Sequence, residues 1–248
     1  MRLILLAVIL HLAHAEISQL PSYFKVCSRF DPNFNECGLK SGREIIPYLV
    51  KGERLFNSPP LDPLEIKEIK LSHGQGRGQL NLTMRDVKLL GLKDAYLQNY
   101  SHDFNTSHTT FLLTVPQIKV LSTYNASGHI LMLPIEGTGN MNITLVDTKC
   151  KIRYHFSSQK INGVDHLLLS AAKVHLDPKR MYIHLDNLFN GDKRFGDEMN
   201  ELLNKHWKEV FYEITPHIAA SFLEMFIGLG NTISKKIPYD LLVPEKLC

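Results

Sequence analysis

Between residues 197 and 236 apolar side chains return at helical spacing over about ten turns of helix. They are Leu203, Trp207, Val210, Phe211, Ile214, Ile218, Phe222, Met225 and Leu229. At about 100° per residue they fall in one stripe roughly 120° wide, while Glu201, Lys205, Lys208, Glu209, Glu213 and Glu224 lie off it. A straight helix of this length is about 60 Å long, longer than a small domain is wide. Something must therefore cover its apolar face along most of that length. Pro216 lies in the middle of the run, where it removes a backbone donor. The expectation is one curved or kinked helix, not two helices packed on different surfaces.

The cover is sought upstream. From residue 66 to about 185, short stretches rich in β-branched and aromatic residues alternate with turn signals. The predicted strands are 66–71, 79–90, 109–121, 124–135, 140–146, 152–156, 164–176 and 181–185. Pro116 marks an edge or bulge in the third of them. A turn is expected at residues 125–128, and Asn162-Gly163 is a strong hairpin signal. Short connections imply an antiparallel sheet, and the absence of helical patterns between strands argues against a parallel α/β fold. Before the sheet, residues 36–55 read as a helix with Leu39, Ile45, Ile46, Leu49 and Val50 on one side, Gly52 near its end and Pro47 as a kink or break. Residues 59–63 form an extended linker. The economical arrangement is α+β: a strongly curved antiparallel sheet wrapped around the long C-terminal helix, with Gly74, Gly76, Gly78, Pro134, Gly137 and Gly139 helping the bend.

The N-terminus reads as a targeting segment. Arg2 supplies the charge, residues 3–12 an apolar core, and Ala13-His14-Ala15 a small-residue cleavage site. Residues 1–15 are thus expected to be a signal peptide, with one domain over 16–248. No later segment has about 18 uninterrupted apolar residues, so no transmembrane helix is expected. Five N-x-S/T tripeptides, at Asn81, Asn99, Asn105, Asn125 and Asn142, are candidate glycosylation sites, with Asn99 and Asn105 in the most loop-like stretch. Cys27 and Cys37 flank the turn signal Asp31-Pro32-Asn33 and are expected to pair. Cys150 and Cys248 are left to pair or stay free.

Recognisable catalytic motifs are missing. Gly74-Gln-Gly76-Arg-Gly78 is neither a dinucleotide fingerprint nor a Walker loop, and reads better as a bent strand. There is no G-x-S-x-G and no H-E-x-x-H. His166, His175 and His184 fall in neighbouring predicted strands, but ordinary surface or satisfied core histidines are the commoner outcome. No metal or cofactor site is expected. A net charge of +3 without a basic run gives no argument for nucleic acid. The helix stripe can be plain core. However, Trp207, Phe211, Phe222, Met225 and Phe226 are large and adaptable, and suit the wall of an apolar cavity as well.

Taken in order, several blocks resemble the secreted insect family of takeout and juvenile-hormone-binding proteins. They are Cys27 and Cys37; Gly52; Pro60-Leu61-Asp62-Pro63; Val87 through Gly91-Leu92; Pro116 before Tyr124 and Gly128; and Leu133-Pro134-Ile135-Glu136-Gly137-Thr138-Gly139. Asn187-Leu188-Phe189-Asn190-Gly191-Asp192, Met199-Asn200, Leu203-Asn204, Trp207, Pro216 and Ile237-Pro238 follow. The resemblance spans essentially the whole mature chain and implies a curved sheet around a long helix, an apolar tunnel between them, and carriage of a small hydrophobic molecule such as a juvenile-hormone-like terpenoid, a fatty acid derivative or an odorant-like lipid. It also implies the Cys27–Cys37 bridge. The hormone binders' second bridge is not matched by Cys150 and Cys248, which favours the takeout side of the family.

The reading is therefore a secreted, monomeric, non-enzymatic carrier. Its expected ligand wall is Trp207, Phe211, Ile214, Ile218, Phe222 and Met225 from the helix, with Val115, Ile118, Leu131, Leu133 and Ile143 from the sheet. Tyr124 or Tyr154 would be a polar anchor. The alternatives are a secreted lipid-ester hydrolase, or a signalling or structural protein with a side-chain-filled interior.

Overall fold

The computed structural model describes residues 19–74 and 79–247. The expected signal peptide, the bend at Gly76 and Gly78, and Cys248 lie outside them. The chain runs α1 (Phe34–Lys51), β1 (Leu64–His73), β2 (Leu80–Leu90), β3 (Tyr96–Asp103), β4 (His108–Ile130), β5 (Leu133–Ile161), β6 (Val164–Asp177), β7 (Arg180–Leu185), α2 (Lys193–Lys205), α3 (Trp207–Ser234) and a final turn, α4 (Tyr239–Leu242). All pairings are antiparallel. β4 and β5 form the spine of an unclosed, curved sheet. β1 and β2 lie beside one end of β4 and β3 beside its other end, while β7 and β6 flank β5 in the same way.

β4 and β5 are 23 and 29 residues long. The sequence reading divided this region into shorter strands: β4 was read through Pro116 and divided at residues 122–123, and β5 was divided at Asp147, where the side chains show a reason. Leu113 and Val115 face inward on β4, but beyond Pro116 the inward residues are Ile118 and Val120. On β5 the inward set passes from Ile143 and Leu145 to Thr148, Cys150 and Ile152 across Asp147, whose φ is 46°. Both strands slip by one residue at the same level, so the register on either side is kept. β2 does the same at Asp86, φ 51°, where its register against β4 shifts. Each slip breaks the two-residue alternation and bends the strand without ending it. Pro116 sits where β4 has run out of β3 and not yet met β2, which is where a missing N–H does least harm.

The expected turn at residues 125–128 is strand. Gly128, φ 120°, is required because a Cβ there would lie 1.9 Å from the Gln79 carbonyl. The chain reverses instead at Leu131 and Met132, φ 49° and 67°. Neither is a residue that advertises such a turn. β3 was not foreseen: it occupies the stretch read as a loop, and Asn99 lies within it. Asn105 is in the following turn, and all five sequon asparagines are exposed.

The expected single C-terminal helix is continuous through Pro216, as read from the sequence, but is kinked at His206 (φ −103°, ψ 32°) into α2 and α3. The α-type bonds His206 N–H to Leu202 O and Val210 N–H to His206 O persist across the kink, at 3.0 and 3.1 Å. Pro216 is exposed, so the carbonyl deprived of a donor belongs to the solvent side. α1 likewise passes through Pro47 and stops at Gly52, φ 84°, short of the expected residue 55. Cys27 and Cys37 are bridged.

The helices are fixed to the sheet by asparagine amides. Asn200 accepts from Leu185 N–H and donates to Leu185 O, both at 2.9 Å. Asn204 does the same with Ile183, at 3.0 and 2.6 Å, and Asn231 with Leu169, at 2.7 and 3.0 Å. Four helical residues rise about 6 Å and two strand residues about 6.6 Å, so Asn200 and Asn204 match alternate residues of the β7 edge. An amide carries one donor side and one acceptor side, as a neighbouring strand would.

Candidate functional site

The space between α3 and the sheet is not filled evenly. At the α2 end, Leu203, Val210 and Phe211 pack with Met141, Ile135, Tyr124 and Leu188 into a buried core cluster that leaves only a small void of about 40 Å³. Further along α3 the sheet stands off, leaving a cavity of about 400 Å³. α3 supplies Phe211, Ile214, Thr215, Ile218, Ala219, Phe222, Leu223, Met225, Phe226 and Leu229. β2 gives Met84 and Leu89, β4 gives Leu113, Val115, Ile118 and Val120, and β5 gives Ile143, Leu145, Cys150 and Ile152. Val174, Leu176 and Met181 come from β6 and β7. α1 closes a side with Ile46, Leu49 and Val50. Val210 is almost wholly buried, whereas Ile218, Phe222 and Met225 are only half-buried.

Among the described residues no charged side chain lines this cavity, and Thr215 and Cys150 bring a hydroxyl and a thiol to it. Burial pushes the Cys150 thiol up to about 11, and Cys150 is unpaired among the described residues. An aromatic group stands at the β3 side. Tyr154 packs its ring 5.3 Å from Phe111, 4.7 Å from Phe156 and 6.1 Å from the cavity-lining Phe226. Burial raises the Tyr154 phenol well above its ordinary value, and Tyr100 to about 12.

Of the residues expected in a ligand wall, Phe211, Ile214, Ile218, Phe222, Met225, Val115, Ile118 and Ile143 line this cavity. Trp207, Leu131, Leu133, Tyr124 and Tyr154 do not. Trp207 belongs to the filled end, with the Arg180 guanidinium 5.5 Å from its ring centre. Leu131 is at the hairpin tip, where its N–H donates to Glu213 at 3.0 Å, and Leu133 follows the turn. Tyr124 is in the filled core and its hydroxyl donates to Asp186 O at 2.7 Å, so the hydroxyl already has a partner. The α1 contribution was not anticipated, although its apolar side was legible; nothing local to that helix says that it faces a void. The three histidines do not meet. His166 is buried with Nδ1 donating to Ser234 O at 3.0 Å, while His175 and His184 are exposed. Among the described residues no cluster of His, Cys, Asp and Glu is arranged to hold a metal.

A long helix laid in a curved sheet around an apolar cavity is a distinctive arrangement, and the chain's similarities agree with it. The family model described as haemolymph juvenile hormone binding protein matches residues 3–244. The chain belongs to this family. As a member of the haemolymph juvenile hormone binding protein family it is a binding protein and not an enzyme. It is 28% identical over 228 residues to the circadian clock-controlled protein daywake of Drosophila melanogaster, covering 89% of this chain and 86% of that protein. The Drosophila yakuba daywake protein is 24% identical over 188 residues, covering 73% and 72%. The crystal structure of Epiphyas postvittana Takeout 1 superposes with a TM-score of 0.78 at 25% identity, covering 88% of this chain and 98% of that one. Among the described residues no helix is long and apolar enough to cross a membrane.

Proposed function

We propose that the protein is a secreted, monomeric carrier that takes one small, electrically neutral, hydrophobic molecule into the cavity between α3 and the sheet. The observation that carries this reading is the cavity wall: about 400 Å³ lined by apolar side chains from α1, six strands and α3, with no charged group among the described residues. Each 100 Å² of apolar ligand surface removed from water contributes about 2.5 kcal/mol before ordering costs. A carboxylate placed there would lose its hydration with no counter-charge, which costs several kcal/mol. The wall therefore favours an ester, epoxide, alcohol or hydrocarbon over a free fatty acid anion. Among the described residues, Thr215 offers a hydroxyl able to orient a polar end. A neutral juvenile-hormone-like terpenoid is compatible with this wall, as are other neutral lipids.

Residues 1–15 as a signal peptide, the Cys27–Cys37 bridge and five exposed sequons support secretion. The deciding experiment is solvent extraction and mass analysis of protein recovered from secreting insect cells, followed by uptake of labelled terpenoid esters, fatty acid esters and free fatty acids. Recovery or uptake of a neutral lipid at one per chain is the expected result. An extract without an apolar molecule, together with failure to take up any of the panel, would overturn the reading.

A further inference from the structure

A second void of about 40 Å³ lies between the sheet and the helices toward the α2 end. Its walls are apolar, including Leu80, Ala126, Ile130, Ile135 and Leu203. Two side chains border both this void and the main cavity: Ile143 of β5 and Ile214 of α3. Both are buried, and both belong to the core cluster. Ile143 is held from either side, with Val120 of β4 and Ile183 of β7 as its ladder partners. Ile214 stands one helical turn beyond Val210, in the part of α3 where dense packing gives way to the cavity. The two isoleucines therefore form a partition with empty apolar space on both sides.

We infer that Ile143 and Ile214 are the specificity-determining stop of the cavity, setting how long an apolar ligand can be. This rests on the carrier reading proposed above. A ligand extending from the β3 side along α3 meets these branched side chains and goes no further. β-branched residues have few rotamers to move into, and their backbones are fixed in a central strand and a packed helix, so the stop is stiff. Behind it, the apolar void offers space that ligand carbon atoms could occupy if the partition were trimmed.

The test uses the full mature chain and a homologous series of saturated fatty acid methyl esters, each displacing the fluorophore N-phenyl-1-naphthylamine. For the wild-type chain, affinity should rise about fourfold per added methylene and then level off or fall at a limiting length. Ile214→Ala and Ile143→Ala should each move that limit to longer esters by two or three carbons. The short esters should bind within a few-fold of wild type. Val174→Ala, which widens the main cavity away from the partition, should leave the limit where it is. Should alanine at either position unfold the chain, Ile214→Val removes a single methyl and should move the limit by about one methylene. A limit unmoved in folded variants, or no limit in the wild type, overturns the stop while leaving the carrier reading standing. Failure of the wild-type chain to bind any ester or the fluorophore overturns both.

Discussion

Asn204 holds the backbone of Ile183 at both polar ends, its Nδ2 donating to the carbonyl at 2.6 Å and its Oδ1 accepting the N–H at 3.0 Å. One side chain thus occupies the place of a strand on the edge of β7 and fixes α2 to the sheet just before the His206 kink.

Asn204→Ala leaves an N–H and a carbonyl of a partly buried edge without partners. The expected loss is about 2–3 kcal/mol of folding stability. Urea denaturation of the variant beside wild type measures it. A loss under about 0.5 kcal/mol would mean that water replaces the amide without cost.

Ile218 sits in the middle of the cavity wall and is only half-buried. Ile218→Trp should fill the cavity and weaken uptake of an apolar fluorophore at least tenfold, as read by fluorescence titration, while the melting temperature shifts by only a few degrees. Val210→Trp, at the α2 end where Val210 is 1% exposed, should instead destabilise by about 3 kcal/mol or more, because the void of about 40 Å³ beside it is too small to take an indole ring without overpacking.

Burial lowers the proton affinity of the His102 ring, with Asp103 nearby opposing this in part. Its Nδ1 lies 2.6 Å from the Thr109 hydroxyl. The unfolded chain then takes up this proton at a higher pH than the folded chain. The stability contributed by the neutral ring is complete above about pH 6.5 and is lost as pH falls through the lower folded value. His102→Asn should show a shallower loss of melting temperature between pH 7 and pH 5 than wild type. An identical slope in the two proteins would remove His102 from the acid response.

Cys150 lines the cavity with its thiol pushed up to about 11. At pH 8 only about one such thiol in a thousand is ionised, against about a quarter in an unfolded chain. Alkylation of Cys150 by iodoacetamide should be over a hundredfold slower in the native protein than in urea, and a saturating apolar ligand should slow it further. Native and unfolded rates that agree within tenfold would contradict the burial.

Much of this was legible locally. The α3 stripe, the hairpin at Asn162-Gly163 and the strands β6 and β7 follow from periodicity and turn chemistry, which act between residues a few positions apart. The Cys27–Cys37 pairing followed from a turn between two nearby cysteines. β5 was harder to read because Asp147 resets the alternation in mid-strand, which locally resembles an end; β4 was read correctly through Pro116 but divided at residues 122–123, where the structure continues the strand. The hairpin at Leu131 and Met132 carries no turn signature at all; its flanking strands impose it.

By itself, the sequence determined that a long amphipathic helix would exist and that an antiparallel sheet would cover it. Those outcomes depend on a residue's own side chain and its near neighbours. Only the tertiary structure decided which part of the stripe is core and which is wall. Trp207 and Phe222 look alike in the pattern, yet one is packed under Arg180 and the other faces open space. The difference is the stand-off between sheet and helix, set by contacts such as Asn204 to Ile183 and Asn231 to Leu169, 21 and 62 residues apart. Helical spacing records which way a side chain points, but the distance to whatever it meets is fixed elsewhere in the chain.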